Sequence, residues 1–217
     1  MKKPAYLLQR CDPQLVVDLC YAYHGYKSAG SIFTYAFGVF EKGKIVAGYL
    51  WSPPAPGAAK SVCPECPQGV LALSRMVAVP KDLRELNHVS KPLRKQMRTE
   101  IDRGRWPVLI TYSDSSLGHS GHVYKCSGWS KTSSARRAIY LTQSGSRKSP
   151  YRNGVMNKNG LERSGYTTIQ RWEHWACLPG KVVQHMQVSG WVREPIPGKR
   201  WRSGNPAFRY VKTKEEA

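Results

Sequence analysis

The spacing of apolar and polar positions changes period several times along the chain. Asp12-Pro13 reads as an N-cap followed by proline at the first helical position, and Leu15, Val16, Leu19, Cys20 and Tyr23 recur at helical spacing, which predicts a first helix over 12–23. A polar aromatic turn, Tyr23 to Gly30, follows. Two β-rich runs, Phe33 to Phe40 and Lys44 to Trp51, are divided by Glu41-Lys42-Gly43, whose glycine can supply the positive φ of a tight hairpin. Residues 52–69 hold five prolines and predict a loop. A third strand is expected over Val70 to Val79. Strict alternation there puts Arg75 on the face of Leu71, Leu73 and Val77, so it is either buried against an anion or displaced by a bulge.

Ser90 can cap a helix with Pro92 in its first turn and an apolar stripe of Leu93, Met97 and Ile101, ending at Gly104. After Trp106-Pro107, the run Val108, Leu109, Ile110 reads as a strand buried on both faces. Such a strand delivers its last side chains, Tyr112, Ser113 and Asp114, to a crevice at the sheet edge. Gly118 and Gly121 loosen the backbone beyond it, and Gly128 closes a short helix before Trp129. Ala138 to Leu141 reads as another strand. The region of Trp172, His174 and Trp175 and the run Val182 to Val192 suggest further helix and strand without fixing their place. The expected fold is α/β (α+β), a mixed, central twisted sheet flanked by helices in a single domain over 1–217, a length suited to one core.

Charge adds a partner to this picture. Lys+Arg 34 against Asp+Glu 14 gives a formal +20 at pH 7, which points to a polyanion, nucleic acid first and an anionic membrane surface second. No apolar run approaches the roughly 18–20 residues of a spanning helix, and the N-terminus lacks a signal-peptide core, so a cytosolic (cytoplasmic) protein is expected. From Ser115 to Leu161 there is no Asp or Glu. Within that run, 144–160 reads as a basic loop, and 195–217 as a tail in which arginine alternates with Trp201, Phe208 and Tyr210. Arg136, Arg137, Arg147, Lys148, Arg152, Arg200 and Arg202 are the expected contacts to the phosphates of a nucleic acid.

The six cysteines, without a secretion signal, read as free thiols. Cys63-Pro-Glu-Cys66 has the gap of a shared metal ion, but neither a second such pair nor a paired-histidine motif completes a site. The bland alternative is a proline-stiffened surface loop. His119 and His122 could share a helical face as metal ligands, without a carboxylate at ligand spacing. Asn87, Val89 and Ser90 would present backbone N–H groups at a helix start, an anion site by virtue of unpaired donors and the helix dipole.

The order helix, hairpin, proline-rich excursion, strand, basic-capped helix, strand, short helix, strand resembles the GCN5-related N-acetyltransferase fold. The glycine-rich pyrophosphate loop usual after the strand ending at Val79 is replaced by Lys81 to Ser90. Within that fold, YHGYKSAG (23–30), FGVFEKGKIVAG (37–48), LALSRM (71–76), NHVS (87–90) and SDSSLGHSGHVYKCSGW (113–129) resemble the phage-encoded Mom DNA-modification proteins. That resemblance implies transfer to the exocyclic N6 amine of adenine in DNA, giving a methylcarbamoyl form that protects phage DNA from restriction. It implies functional positions at His24, Tyr26, Arg75, Asp114 and Tyr124. Gly25 separates the histidine from Tyr26, so Tyr26 or Tyr23 fills the tyrosine's place. An acyl-type donor is implied, with acetyl-coenzyme A as the fold's usual one.

These residue types suit the chemistry. A weakly nucleophilic amine needs a base, which Asp114 or His24 could be, and Tyr124 could protonate a leaving group. Arg75 could hold a carboxylate or phosphate, and Tyr23, Tyr26 and Trp129 could stack on an extruded base. Two other readings stay open: an acyltransferase acting on protein, tRNA or a small amine, and a nucleic-acid-binding module without activity.

Overall fold

A computed structural model describes residues 6–25, 29–30, 32–145, 147, 151–152, 155–156, 158–200 and 206–213, with the backbone course alone at 151–152, 155–156, 199–200 and 206–207. Seven strands form one mixed sheet: β1 (Leu7–Arg10), β2 (Tyr35–Glu41), β3 (Lys44–Ser52), β4 (Val70–Ala78), β5 (Val108–Asp114), β6 (Ser130–Thr142) and β9 (Leu161–Trp175). Their order is β1-β2-β3-β4-β5-β9-β6, antiparallel throughout except for β4 beside β5. A two-stranded ribbon, β7 (Tyr151–Arg152) and β8 (Val155–Met156), extends from the β6–β9 pair, and β10 (Trp191–Arg200) pairs with β11 (Pro206–Lys212).

The helix α1 (Pro13–Tyr23) forms as its sequence predicts, with the Asp12 carboxylate accepting from the Gln14 amide at 2.9 Å. Its Val16 lies on Gly48 of β3, where a Cβ would come within 2.5 Å of the valine, so only glycine lets the helix approach. The β2–β3 turn takes Lys42 and Gly43 to φ 49° and 79°, both positive as a tight hairpin turn requires. On the other face of β3, Trp51 is wholly buried and donates to Gln96 Oε1 at 2.9 Å, while the Tyr49 hydroxyl donates to the Val89 carbonyl at 2.7 Å. The sheet therefore has α1 on one side and the helix α3 (Ser90–Lys95), continued by a wider π turn over Gln96–Glu100, on the other.

Register explains Arg75. Leu73 pairs with Trp51 and Arg75 with Leu50, so Ser74 is the extra residue of a bulge, its hydroxyl bonded to the Leu50 carbonyl at 3.0 Å. Residues directly opposite share a face, so Leu71 and Leu73 lie with Trp51 on the α3 side, and Arg75 is turned to the α1 side with Gly48 and Leu50. Strict alternation fails at one residue. The bulge sets the face on which Arg75 lies.

Other expectations are corrected. Residues 52–69 are not all loop: Pro56 at a helix start allows α2 (Pro56–Val62), whose Ala59 and Val62 join Cys63, Cys66, Val70, Ala72, Val108, Ile110, Val182 and Met186 in a second apolar cluster. Cys63 and Cys66 are thus core residues rather than parts of a surface loop; Cys66 Sγ lies 3.7 Å from Met186 Sδ and 3.2 Å from the Tyr210 hydroxyl. Ser90 does not cap α3, which starts from Val89 with no side-chain cap, and the helical stretch stops at Glu100, short of Gly104. The strand expected at Ala138 to Leu141 is the end of a 13-residue strand. The C-terminal segment, where described, is no loose tail: α5 (Val182–Val188) and the β10–β11 ribbon pack on the second cluster through Met186, Trp191 and Tyr210. The edge strand β1 was not anticipated, because four residues with two apolar side chains carry no periodic signal.

The short helix α4 (His122–Cys126) begins at Gly121, which has φ 76° and whose added Cβ would lie 2.2 Å from the Trp172 ring. Gly121→Ala is expected to destabilise the fold by about 2–4 kcal/mol, from overpacking and the left-handed backbone together. Urea unfolding monitored by tryptophan fluorescence measures it, and a loss under about 0.5 kcal/mol would contradict this account.

Candidate active site

Parallel pairing of β4 with β5 covers Val70–Ala72 against Val108–Ile110 and then stops. The Thr111 hydroxyl donates to the Leu73 carbonyl at 3.0 Å as the last link, while β5 continues to pair with β9 up to Asp114. The strands part beyond that point, and a cleft of about 1490 Å³ opens between them. Ser74, Arg75 and Met76 line it from β4, Tyr112 to Asp114 from β5, and Arg136, Arg137 and Ala138 from β6.

His24 is the residue that ends α1, its amide bonded to the Cys20 carbonyl at 3.0 Å. A Cβ at Gly25 would meet the Leu117 side chain at 3.1 Å, so the turn after α1 rests on the turn after β5. This brings the His24 ring to 6.1 Å from the His119 ring, edge to face. Burial first, then the Arg75 guanidinium and His119, pull the His24 pKa down to about 4. At neutral pH its imidazole is therefore uncharged.

Asp114 is nearly inaccessible, and its Oδ1 accepts from the Ser116 amide at 3.0 Å, the Ser116 hydroxyl at 2.6 Å and the Thr167 hydroxyl. Its Oδ2 lies 3.0 Å from Arg147 Nη1. Tyr124 projects from α4 to the same cleft, packed between Trp129 and Trp172 with ring centroids 6.0 Å from each. Burial raises its pKa against a hydrogen bond with Thr111, so the phenol keeps its proton. His24 comes from the α1 side and Tyr124 from the α3–α4 side, one on either side of the gap between β4 and β5.

The cleft thus gathers His24, Arg75, Asp114 and Tyr124 from four separate elements. Tyr26 lies outside the described residues. Trp129, expected to stack on a base, is 4% exposed among Trp51 and Tyr124 and is unsuited to that task. Asn87, Val89 and Ser90 do not line the cleft. At that helix start Pro92 has no amide hydrogen, and the Lys91 amide is bonded to the His88 carbonyl at 3.2 Å.

Of the expected DNA contacts, Arg136 and Arg137 are exposed on β6 and border the cleft, whereas Arg147 is turned onto Asp114. Arg152 falls in β7 and Arg200 at the end of β10, while Lys148 and Arg202 lie outside the described residues. Arg163 and Tyr166 of β9, which sequence patterning had left aside, join this wall: Arg136 lies 4.1 Å over the Tyr166 ring. Their signal was the interleaving of arginine with aromatic residues, hidden because β9 itself had no clear start. Among the described residues no group of three or more His, Cys, Asp or Glu is placed to hold a metal ion, at Cys63 and Cys66 or at His119 and His122. Among the same residues no helix is long and apolar enough to cross a membrane.

The sequence profile of the Mom protein family matches residues 5–176, which takes in α1, the whole seven-stranded sheet and every one of the cleft residues above. The chain belongs to the Mom protein family. No curated protein matches it. Among solved structures, this Mom-family chain is similar to an agmatine N-acetyltransferase mutant in its apo form (10% identity, 79% of this chain and 100% of that one, TM-score 0.50). It is likewise similar to the polyamine N-acetyltransferase of Drosophila melanogaster (11% identity, 78% and 99%, TM-score 0.50). A GNAT family acetyltransferase from Elizabethkingia anophelis with acetyl-CoA bound aligns at 10% identity over 80% and 99%, TM-score 0.44. The fold of this Mom-family protein is therefore that of the GCN5-related N-acetyltransferases, as the order of elements implied.

Two outcomes follow from the geometry. His24 has a folded pKa of about 4 against an ordinary 6.5, as does His174, which burial and Arg103 hold down. The folded state binds fewer protons between these values, so stability is full above pH 6.5 and falls as the pH drops toward 4. His24→Asn flattens that decline in urea melts at pH 7 and 5; an unchanged slope would refute the assignment. Asp114→Ala strands Arg147 and three donors, and is expected to cost about 3 kcal/mol in the same assay.

Proposed function

We propose that the protein is a transferase that modifies the N6 amine of adenine in double-stranded DNA, placing there the methylcarbamoyl group that guards DNA from restriction. The observation that carries this reading is one cleft holding a neutral imidazole and a protonated phenol on opposite sides of the strand gap, bordered by Arg136, Arg137 and Arg163. Membership in the Mom family and the formal charge of +20 support DNA as the acceptor.

His24 serves as the base. Asp114 is the weaker candidate, because its carboxylate is already engaged by Ser116, Thr167 and Arg147 and so acts as the strut that holds the turn beneath His119. The N6–carbon bond forms as the donor's bond to its leaving group breaks, the N6 proton passes to His24, and Tyr124 gives its proton to the leaving group. Arg75 holds an anionic group of the donor or of the DNA. The donor is of acyl type. N6 of a paired adenine faces the major groove, so the base leaves the duplex to enter the cleft.

Nucleoside mass spectrometry of DNA from expressing cells tests the reading. A mass-shifted deoxyadenosine is expected, reduced roughly 100-fold or more by His24→Ala and by Tyr124→Phe. Arg136→Glu with Arg137→Glu is expected to weaken DNA binding and the salt dependence of that binding. An unmodified nucleoside profile at full expression, with labelled acyl groups on RNA or protein instead, would replace this function with the acyltransferase alternative. DNA binding with no transfer to any acceptor would leave a binding module.

A further inference from the structure

We propose that Tyr112 is a nucleobase-stacking residue, its ring forming the floor of a seat that receives the extruded adenine; this rests on the DNA-modification reading and locates the acceptor within it. β5 is the most deeply buried strand of the sheet's centre: Val108, Leu109, Ile110, Thr111, Ser113 and Asp114 are all 4% exposed or less, yet Tyr112 between them is 41% exposed. A large aromatic ring is thus open to solvent in the middle of the core strand, and it lines the cleft.

Its surroundings suit a planar nucleobase carried on a sugar-phosphate backbone. Tyr112 shares the parity of Val108 and Ile110, whose side chains pack with α2 in the second cluster, so it projects on the α2 side of the sheet. On that side Pro53, Pro54 and Ala58, small or rigid groups, also line the cleft. Arg171 stands directly opposite Tyr112 in register, anchored by Glu173 at 2.8 Å and by the Ser61 hydroxyl at 3.2 Å. Arg137 lines the cleft from β6. Burial raises the Tyr112 pKa more than Arg171 and Arg137 lower it, so the ring is uncharged and does not repel a polyanion. Of the other tyrosines of the cleft, Tyr124 packs between two tryptophans, Tyr166 lies under Arg136, and Tyr140 has the Lys158 ammonium 5.9 Å from its ring centroid. His24, from the α1 side, lines the same cleft from this side of the sheet.

Binding of a short adenine-containing single strand, compared with an abasic strand of equal length and charge at one salt concentration, tests the seat apart from catalysis. The wild-type protein is expected to prefer the adenine strand, and Tyr112→Ala to lose roughly 5- to 150-fold of that preference while binding the abasic strand as before. Tyr112→Phe retains it, because stacking needs the ring and not the hydroxyl. Unchanged thermal unfolding shows that Tyr112→Ala is folded; if it is not, Tyr112→Leu, which keeps apolar bulk without a π face, gives the same reading. Equal affinity of the wild type for both strands, or a Tyr112→Phe as weak as Tyr112→Ala, overturns the proposal. Retained discrimination with no modified deoxyadenosine would instead remove the catalytic reading and leave the seat.

Discussion

The parting of β4 from β5 is the constraint on which the site depends. Two parallel strands exchange hydrogen bonds for three residues each, and then β5 stays with β9 while β4 stays with β3. A sheet that loses a ladder in its middle exposes backbone groups and loses cross-strand packing, which is tolerable only if both strands are fixed from outside the gap. The antiparallel partners β3 and β9 do that, and the Thr111 hydroxyl ties off the last carbonyl at Leu73. The result is an opening that passes between the two faces of the sheet, so groups borne by helices on opposite sides can act on one point.

Around the opening, polar groups are held by short local devices. The Ser74 bulge turns Arg75 to the α1 side, where it helps keep His24 uncharged. Gly25 lets the turn after α1 settle on Leu117, and the buried Asp114 fixes that same turn through Ser116 and Thr167. A buried carboxylate with this many donors is costly to disturb, which makes it a rigid mount. The positive field is carried by β6, a 13-residue edge strand whose exposed Arg136 and Arg137 border the cleft beside its other polar side chains.

At the start of α3 the chain has Pro92 and a Lys91 amide bonded to the His88 carbonyl, outside the residues that line the cleft between the parted strands.

Much of this was legible in the sequence, and for identifiable reasons. The cap at Asp12, the helical stripe behind it, the hairpin at Lys42-Gly43 and the buried run at 108–110 are local signals, set by backbone preference and side-chain periodicity, and they placed α1, β2, β3 and β5. Charge counting found the basic, acid-free run, and the motif at 113–129 pointed to Asp114 and Tyr124. What the sequence could not determine depends on contacts between distant segments. That Arg147 closes on Asp114, that Cys63 and Cys66 belong to a second core, that α5 and the β10–β11 ribbon cover that core, and that Trp129 is buried all follow from long-range packing, which no window of residues encodes. Arg75 shows the boundary most plainly: its parity is a property of the sequence, but its face was decided by one bulged residue whose register exists only between paired strands.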